Sequence, residues 1–112
     1  MAIKTDKPQE WADAQISAFE NDLKNRSRGK VEEVKFPSNE NPDKPARFWI
    51  AKPNRQQLAM IADHSDNTEK ANDLIINIGV LAGDLDQLEY DDEMFFGLLR
   101  EVQGLVEAKK KI

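Results

Sequence analysis

The apolar residues of this chain change their spacing twice, and that change restricts the fold more than any other feature. From Trp11 to Leu23 they recur as Ala12, Ile16, Phe19 and Leu23, at intervals of 4, 3 and 4. Such intervals place one stripe on an α-helix. Trp11 and Ala18 border that stripe. Asp6-Lys7-Pro8-Gln9 reads as its start: a capping Asp, an early Pro, and Gln three residues after the Asp. Lys24, Arg26 and Arg28 complement the negative helix end, and Gly29 is a good residue just past it. The pattern predicts a first helix over residues 8–28.

The period then becomes two. In Lys30–Pro37 (KVEEVKFP), Val34 and Phe36 alternate with charged neighbours; in Pro45–Lys52 (PARFWIAK), Phe48 and Ile50 point one way and Trp49 the other. Ser38-Asn39-Glu40-Asn41-Pro42-Asp43-Lys44 separates them and is almost pure turn chemistry. The expectation is a β-hairpin with a long, mobile tip. Two strands alone are marginally stable, so the hairpin must pack on helices or on another chain's edge. With Phe48 and Trp49 on opposite faces, one of them is expected to stay exposed as an interface anchor.

Beyond Pro53 the helical period returns. Asn54–His64 reads as a helix with Leu58, Ile61 and Ala62 inward, and Ser65-Asp66-Asn67-Thr68 interrupts it. Asp66 with Glu69 forms a plausible capping box for the next helix. That helix carries Ala71, Leu74, Ile75, Ile78, Leu81 and Ala82, and Gly83 closes it. After the acidic Asp84–Glu93 segment, a last helix bears Met94, Phe95, Leu98, Leu99, Val102, Leu105 and Val106 and ends in Lys109-Lys110-Lys111. Ile75, Ile78, Leu98 and Val102 are expected to be buried between the last two helices. The fold class is therefore α+β, mainly helical, with about four helices and one β-hairpin. Residues 1–112 are expected to form a single domain, with an N-terminal helix (1–29), a hairpin (30–52) and a three-helix C-terminal part (53–112).

Composition narrows the function. No stretch approaches the ~20 apolar residues of a membrane span, and the polar start, Met1 to Pro8, lacks the apolar middle of a signal peptide. The expected location is cytoplasmic, with no membrane partner. With 0 Cys there are no disulfides or thiolate metal sites. The net charge of −5 is uneven: residues 1–56 hold 11 Lys+Arg against 9 Asp+Glu, and residues 57–112 hold 5 against 12. An acidic half repels phosphate backbones and suits a basic protein partner. Lys24, Arg26, Arg28 and Lys30 could touch phosphates, but Glu32 and Glu33 follow at once, so no nucleic acid is expected.

No residue set supports catalysis. His64 is the sole histidine, stands at a helix end where dipole effects alone favour it, and has no evident orienting partner. The acidic segment fails as a calcium loop, because the sixth position counted from Asp84 is Glu89 and the twelfth is Phe95. Asp91, Asp92 and Glu93 instead suit the positive start of the last helix. There is no phosphate loop or nucleophile elbow. The reading is a non-catalytic protein-binding chain without cofactor or metal, with Phe48, Trp49, Asp84, Asp86, Asp91 and Asp92 as candidate partner-binding residues.

From Ala46 onward the order of features resembles a known family. An apolar strand, Arg47-Phe48-Trp49-Ile50-Ala51, runs into Lys52-Pro53-Asn54-Arg55-Gln56-Gln57-Leu58 and a helix. A polar break, the apolar helix with Asn72-Asp73-Leu74-Ile75, an acidic turn, and Phe95-Phe96-Gly97-Leu98-Leu99 follow. The sequence is similar here to the tail assembly chaperones of long-tailed, lambda-type phages, over roughly residues 46–112. It is a likeness of pattern; helix 1 and the first strand have no counterpart in it. It implies a small acidic chaperone that coats a tape-measure or tail-tube protein and can self-associate. It also implies a longer form made by ribosomal slippage near the end of the gene, where Lys109-Lys110-Lys111 could mark a slippery codon run. The simpler account of those lysines is the helix dipole. The alternative function is a generic intracellular adaptor or regulatory subunit, antitoxin-like or secretion-chaperone-like.

Overall fold

The computed structural model describes residues 11–26 and 31–106. In chain order these form α1 (Asp13–Arg26), β1 (Val31–Phe36), β2 (Ala46–Ala51), α2 (Arg55–Ala62), α3 (Thr68–Gly79), β3 (Val80–Gly83), a 3-10 turn (Leu85–Glu89) and α4 (Asp92–Gly104). The α+β class holds. The hairpin is part of a larger sheet, in the order β1-β2-β3 with both pairings antiparallel.

The third strand corrects the reading of Ala71–Ala82 as one helix. That helix stops at Gly79, and Val80 begins β3 with no residue between them. Trp49 lies opposite Ala82 and Phe48 opposite Gly83, with an irregularity between Trp49 and Ile50. Central β2 thus has a partner on each side and needs no second chain's edge.

Alternation on β2 divides the core. Ala46, Phe48 and Ile50 join Ile76, Val80, Met94, Leu98, Leu99 and Val102 on one face, with Val34, Phe36 and Ile75 packed against them. Trp49 and Ala82 join Ile16 and Leu23 of α1 on the other, with Trp11, Phe19, Val31 and Leu81 alongside. The molecule has three layers: α1, the sheet, and the helices α3 and α4. Two glycines permit the closest approaches. A Cβ on Gly79 would overlap the Val102 side chain. Gly83 has φ +151°, and a Cβ there would stand 2.6 Å from the Arg47 carbonyl oxygen, so neither its backbone nor its surroundings accept another residue.

Several boundaries move. α1 begins at Asp13, since Trp11 and Ala12 are non-helical; residues 8–10 of the expected helix lie outside the described residues, and the Ala12 N–H donates to Gln15 Oε1 at 2.9 Å. The Asp6 cap and Gly29 lie outside the described residues. α2 opens with a capping box in which Asn54 and Gln57 exchange side-chain-to-backbone bonds of 2.8 Å. No α2 residue is fully buried, and Ala62 is exposed. α3 is capped by Asn67, whose side chain accepts from the Lys70 N–H, one residue beyond the expected Asp66. Its buried residues are Ile76 and Gly79. Ile75 and Ile78 are half-buried, so only Leu98 and Val102 match the expected helix interface fully. α4 ends at Gly104; Lys109–Lys111 lie outside the described residues.

The hairpin tip is tied down at its start. The Ser38 hydroxyl donates to Gln87 Oε1 at 2.7 Å, and Asn39 Nδ2 donates to Asp91 Oδ2 at 3.2 Å. These bonds hold the first residues of the tip, Ser38 and Asn39, to the 3-10 turn and the cap of α4.

Candidate interaction surface

Three of the residues expected to meet a partner are interior. Phe48 and Trp49 are both fully buried, which corrects the expectation that one of them is an exposed anchor. The expectation fails because α1 covers the second sheet face: Phe19 meets Trp49 edge-on with ring centroids 5.1 Å apart, and Trp11 meets Phe19 at 5.1 Å. Asp84 is also buried. Its Oδ2 accepts the Arg47 N–H at 2.8 Å, and its own N–H donates to the Arg47 carbonyl at 3.0 Å. A carboxylate hydrogen-bonded in this way is a structural clasp between the start of β2 and the end of β3.

The other three lie nearer the surface. Asp91 is half-buried and caps α4, accepting the Met94 N–H at 3.0 Å, as its position suggested. Asp86 and Asp91, with Asn39, Glu40, Gln87 and Tyr90, line a cavity of about 440 Å³ beside the hairpin tip. Tyr90 is 87% exposed. Asp92 is exposed and belongs to a different feature.

That feature is an open groove of about 520 Å³ between the first turns of α3 and α4, lined by Thr68, Glu69, Asn72, Asp73, Asp92, Phe95 and Phe96. The N-terminal ends of both helices meet there, while Gly79 and Val102 pack at the other end. Phe96 is 58% exposed and Phe95 half-buried, with ring centroids 5.4 Å apart. Glu69, Asp73 and Asp92 are exposed around them, and among the described residues none makes an ion pair. Lys70 and Arg100, the cations of these two helices, do not line the groove. First-turn positions favour Glu69 and Asp92 through the helix dipoles. Asp73 lies a turn further on, and the dipole does not account for it.

Phe96 was not singled out as a candidate from the sequence. The signal was present: Met94, Leu98 and Val102 form the buried stripe of α4, and Phe96 stands off it. Met60, 49% exposed on α2, is of the scattered kind that protein surfaces ordinarily carry.

His64 sits in the turn after α2, its carbonyl accepting the Asn67 N–H at 3.0 Å. Among the described residues no group of three or more His, Cys, Asp or Glu is arranged to hold a metal ion. No helix among them is long and apolar enough to cross a membrane. No protein-family model matches the chain, and no curated protein and no solved structure matches it either.

Proposed function

We propose that this chain is a non-catalytic protein-binding chaperone for phage or prophage tail assembly, acting in the cytoplasm of a host cell on a tape-measure or tail-tube protein. The observation that carries the protein-binding part is the groove at Phe96. A large aromatic ring held in water beside three carboxylates that form no ion pair among the described residues is explained by a partner better than by the monomer's own stability. The phage part rests on the likeness of pattern over residues 46–112. Those residues supply β2, α2, α3, β3 and α4, and so every fully buried member of the larger core cluster.

Gene context and capture test the reading together. A tail-tube gene before this one and a very long helical tape-measure gene after it are expected. The tape-measure protein, co-expressed with this chain, should co-purify with it and stay soluble. If it does not, while a neighbouring toxin or secreted effector does, the adaptor reading replaces this one.

A further inference from the structure

We propose that the groove between the first turns of α3 and α4 receives one amphipathic helix of a partner protein, its apolar face on Phe95 and Phe96 and its Lys or Arg side chains over Glu69, Asp73 and Asp92. This deepens the function proposed above and rests on its protein-binding reading, though not on the partner's identity.

Charge selects a cationic partner. Three exposed carboxylates surround the rings, and two helix starts offset them by only about half a charge each. The site stays negative, and apolar contact joined to opposite charge gives both affinity and orientation. The form of the partner follows from the walls. Both are helices whose backbone groups are already bonded, apart from first turns capped by Asn67 and Asp91. An added strand would find no free row of backbone donors and acceptors, whereas a helix brings its own backbone satisfied and binds through side chains. The groove runs along Thr68–Asp73 of α3 and Asp92–Phe96 of α4, about 9 Å at 1.5 Å per residue, so it takes roughly two turns of such a helix. The cavity is within the ~300–1,000 Å³ range that accepts large apolar groups.

The test uses the full chain, labelled with nitrogen-15, and two synthetic 18-residue helical peptides. Both carry the same Leu/Phe face; one is flanked by Lys and Arg, the other by Glu. The cationic peptide should bind and shift amide signals over residues 68–73 and 92–96, and its affinity should fall severalfold or more as salt rises. Phe96→Ala should weaken it about tenfold, and Asp73→Lys at least as much, with both variants keeping the wild-type melting profile because these side chains are exposed. Equal binding of the anionic peptide, shifts centred elsewhere, or unchanged affinity in both variants would overturn the proposal. So would a dimer of this chain that Phe96→Ala dissociates, since the groove would then belong to a second copy. If the tape-measure protein is captured equally well by Phe96→Ala, the groove assignment falls and the proposed function stands. If the cationic peptide binds as described but the tape-measure protein does not, the reverse holds.

Discussion

Phe48 and Trp49 are neighbours on β2, both fully buried, yet they face layers built in different ways. On the Phe48 side, two helices meet the sheet and each other. Gly79 sits against Val102, and Gly97 lies where a Cβ would stand 2.8 Å from the Phe36 ring. On the Trp49 side, among the described residues, one helix covers the face, burying Ile16 and Leu23 and leaving Trp11 and Phe19 half-buried. The Trp49 indole Nε1–H is buried there with no hydrogen-bond partner among the described residues. An unmet donor costs about 1–3 kcal/mol, so aromatic packing must outweigh that loss. Equal burial therefore hides unequal construction: one face is built through close approaches at Gly79 and Gly97, and the other is covered by α1.

The sharpest way to break this contrast is to remove the same atoms from both sides. Leu98 and Leu23 are 0% and 1% exposed, and Leu→Ala costs about 2–5 kcal/mol according to how far the site collapses. Leu98→Ala, hemmed in by two helices and the sheet, should fall near the top of that range. Leu23→Ala should fall near the bottom, because the covering helix can settle. Chemical denaturation of the pair checks this, and equal losses would show the two faces to be equally rigid.

The link between the faces comes next in size. Gly83→Ala forces a side chain into φ +151° against the Arg47 carbonyl and should cost at least about 1–3 kcal/mol from backbone strain alone. Gly104→Ala, with nothing within 4 Å of the added Cβ, should stay within about 0.5 kcal/mol of the parent. Thermal melts of the two variants measure the difference.

The smallest effect is the most telling about Trp49. Trp49→Phe removes the unmet donor and leaves a small void. These opposing terms should hold the change to about 1 kcal/mol. A far larger loss would mean that the indole N–H has a partner in solution.

What the sequence made legible follows the same division. The hairpin is readable because Val34 and Phe36 alternate with charge and Phe48 and Ile50 alternate with Trp49, on either side of seven turn residues. β3 is not. Val80, Leu81 and Ala82 continue the apolar run of α3, and a four-residue strand buried on both faces has no periodicity to tell it from one more helical turn. Gly83 then looked like an ordinary helix terminator, although its role is to admit the Arg47 carbonyl. Asp84 was read with its acidic neighbours as surface, because a carboxylate's hydrogen-bond partner 37 positions away leaves no trace in local spacing. Of the candidate site residues, Asp92 stands at the groove; in the sequence Phe95 belongs to the apolar stripe of the last helix, and Phe96 only to the stretch that carries the family likeness.

The junction of α3 and β3 has a mechanical meaning. Thr68 and Glu69 stand at the groove, and the same helix passes at Gly79–Val80 directly into a strand bonded to β2. A loop would absorb a small tilt of the helix as slack, but here there is none. Twelve residues make a rod of about 18 Å, one end at the open surface and the other stitched into the sheet. A tilt at the groove end therefore reaches the pairing of β2 with β3 through the helix itself, as well as α4 and α2 packed beside it.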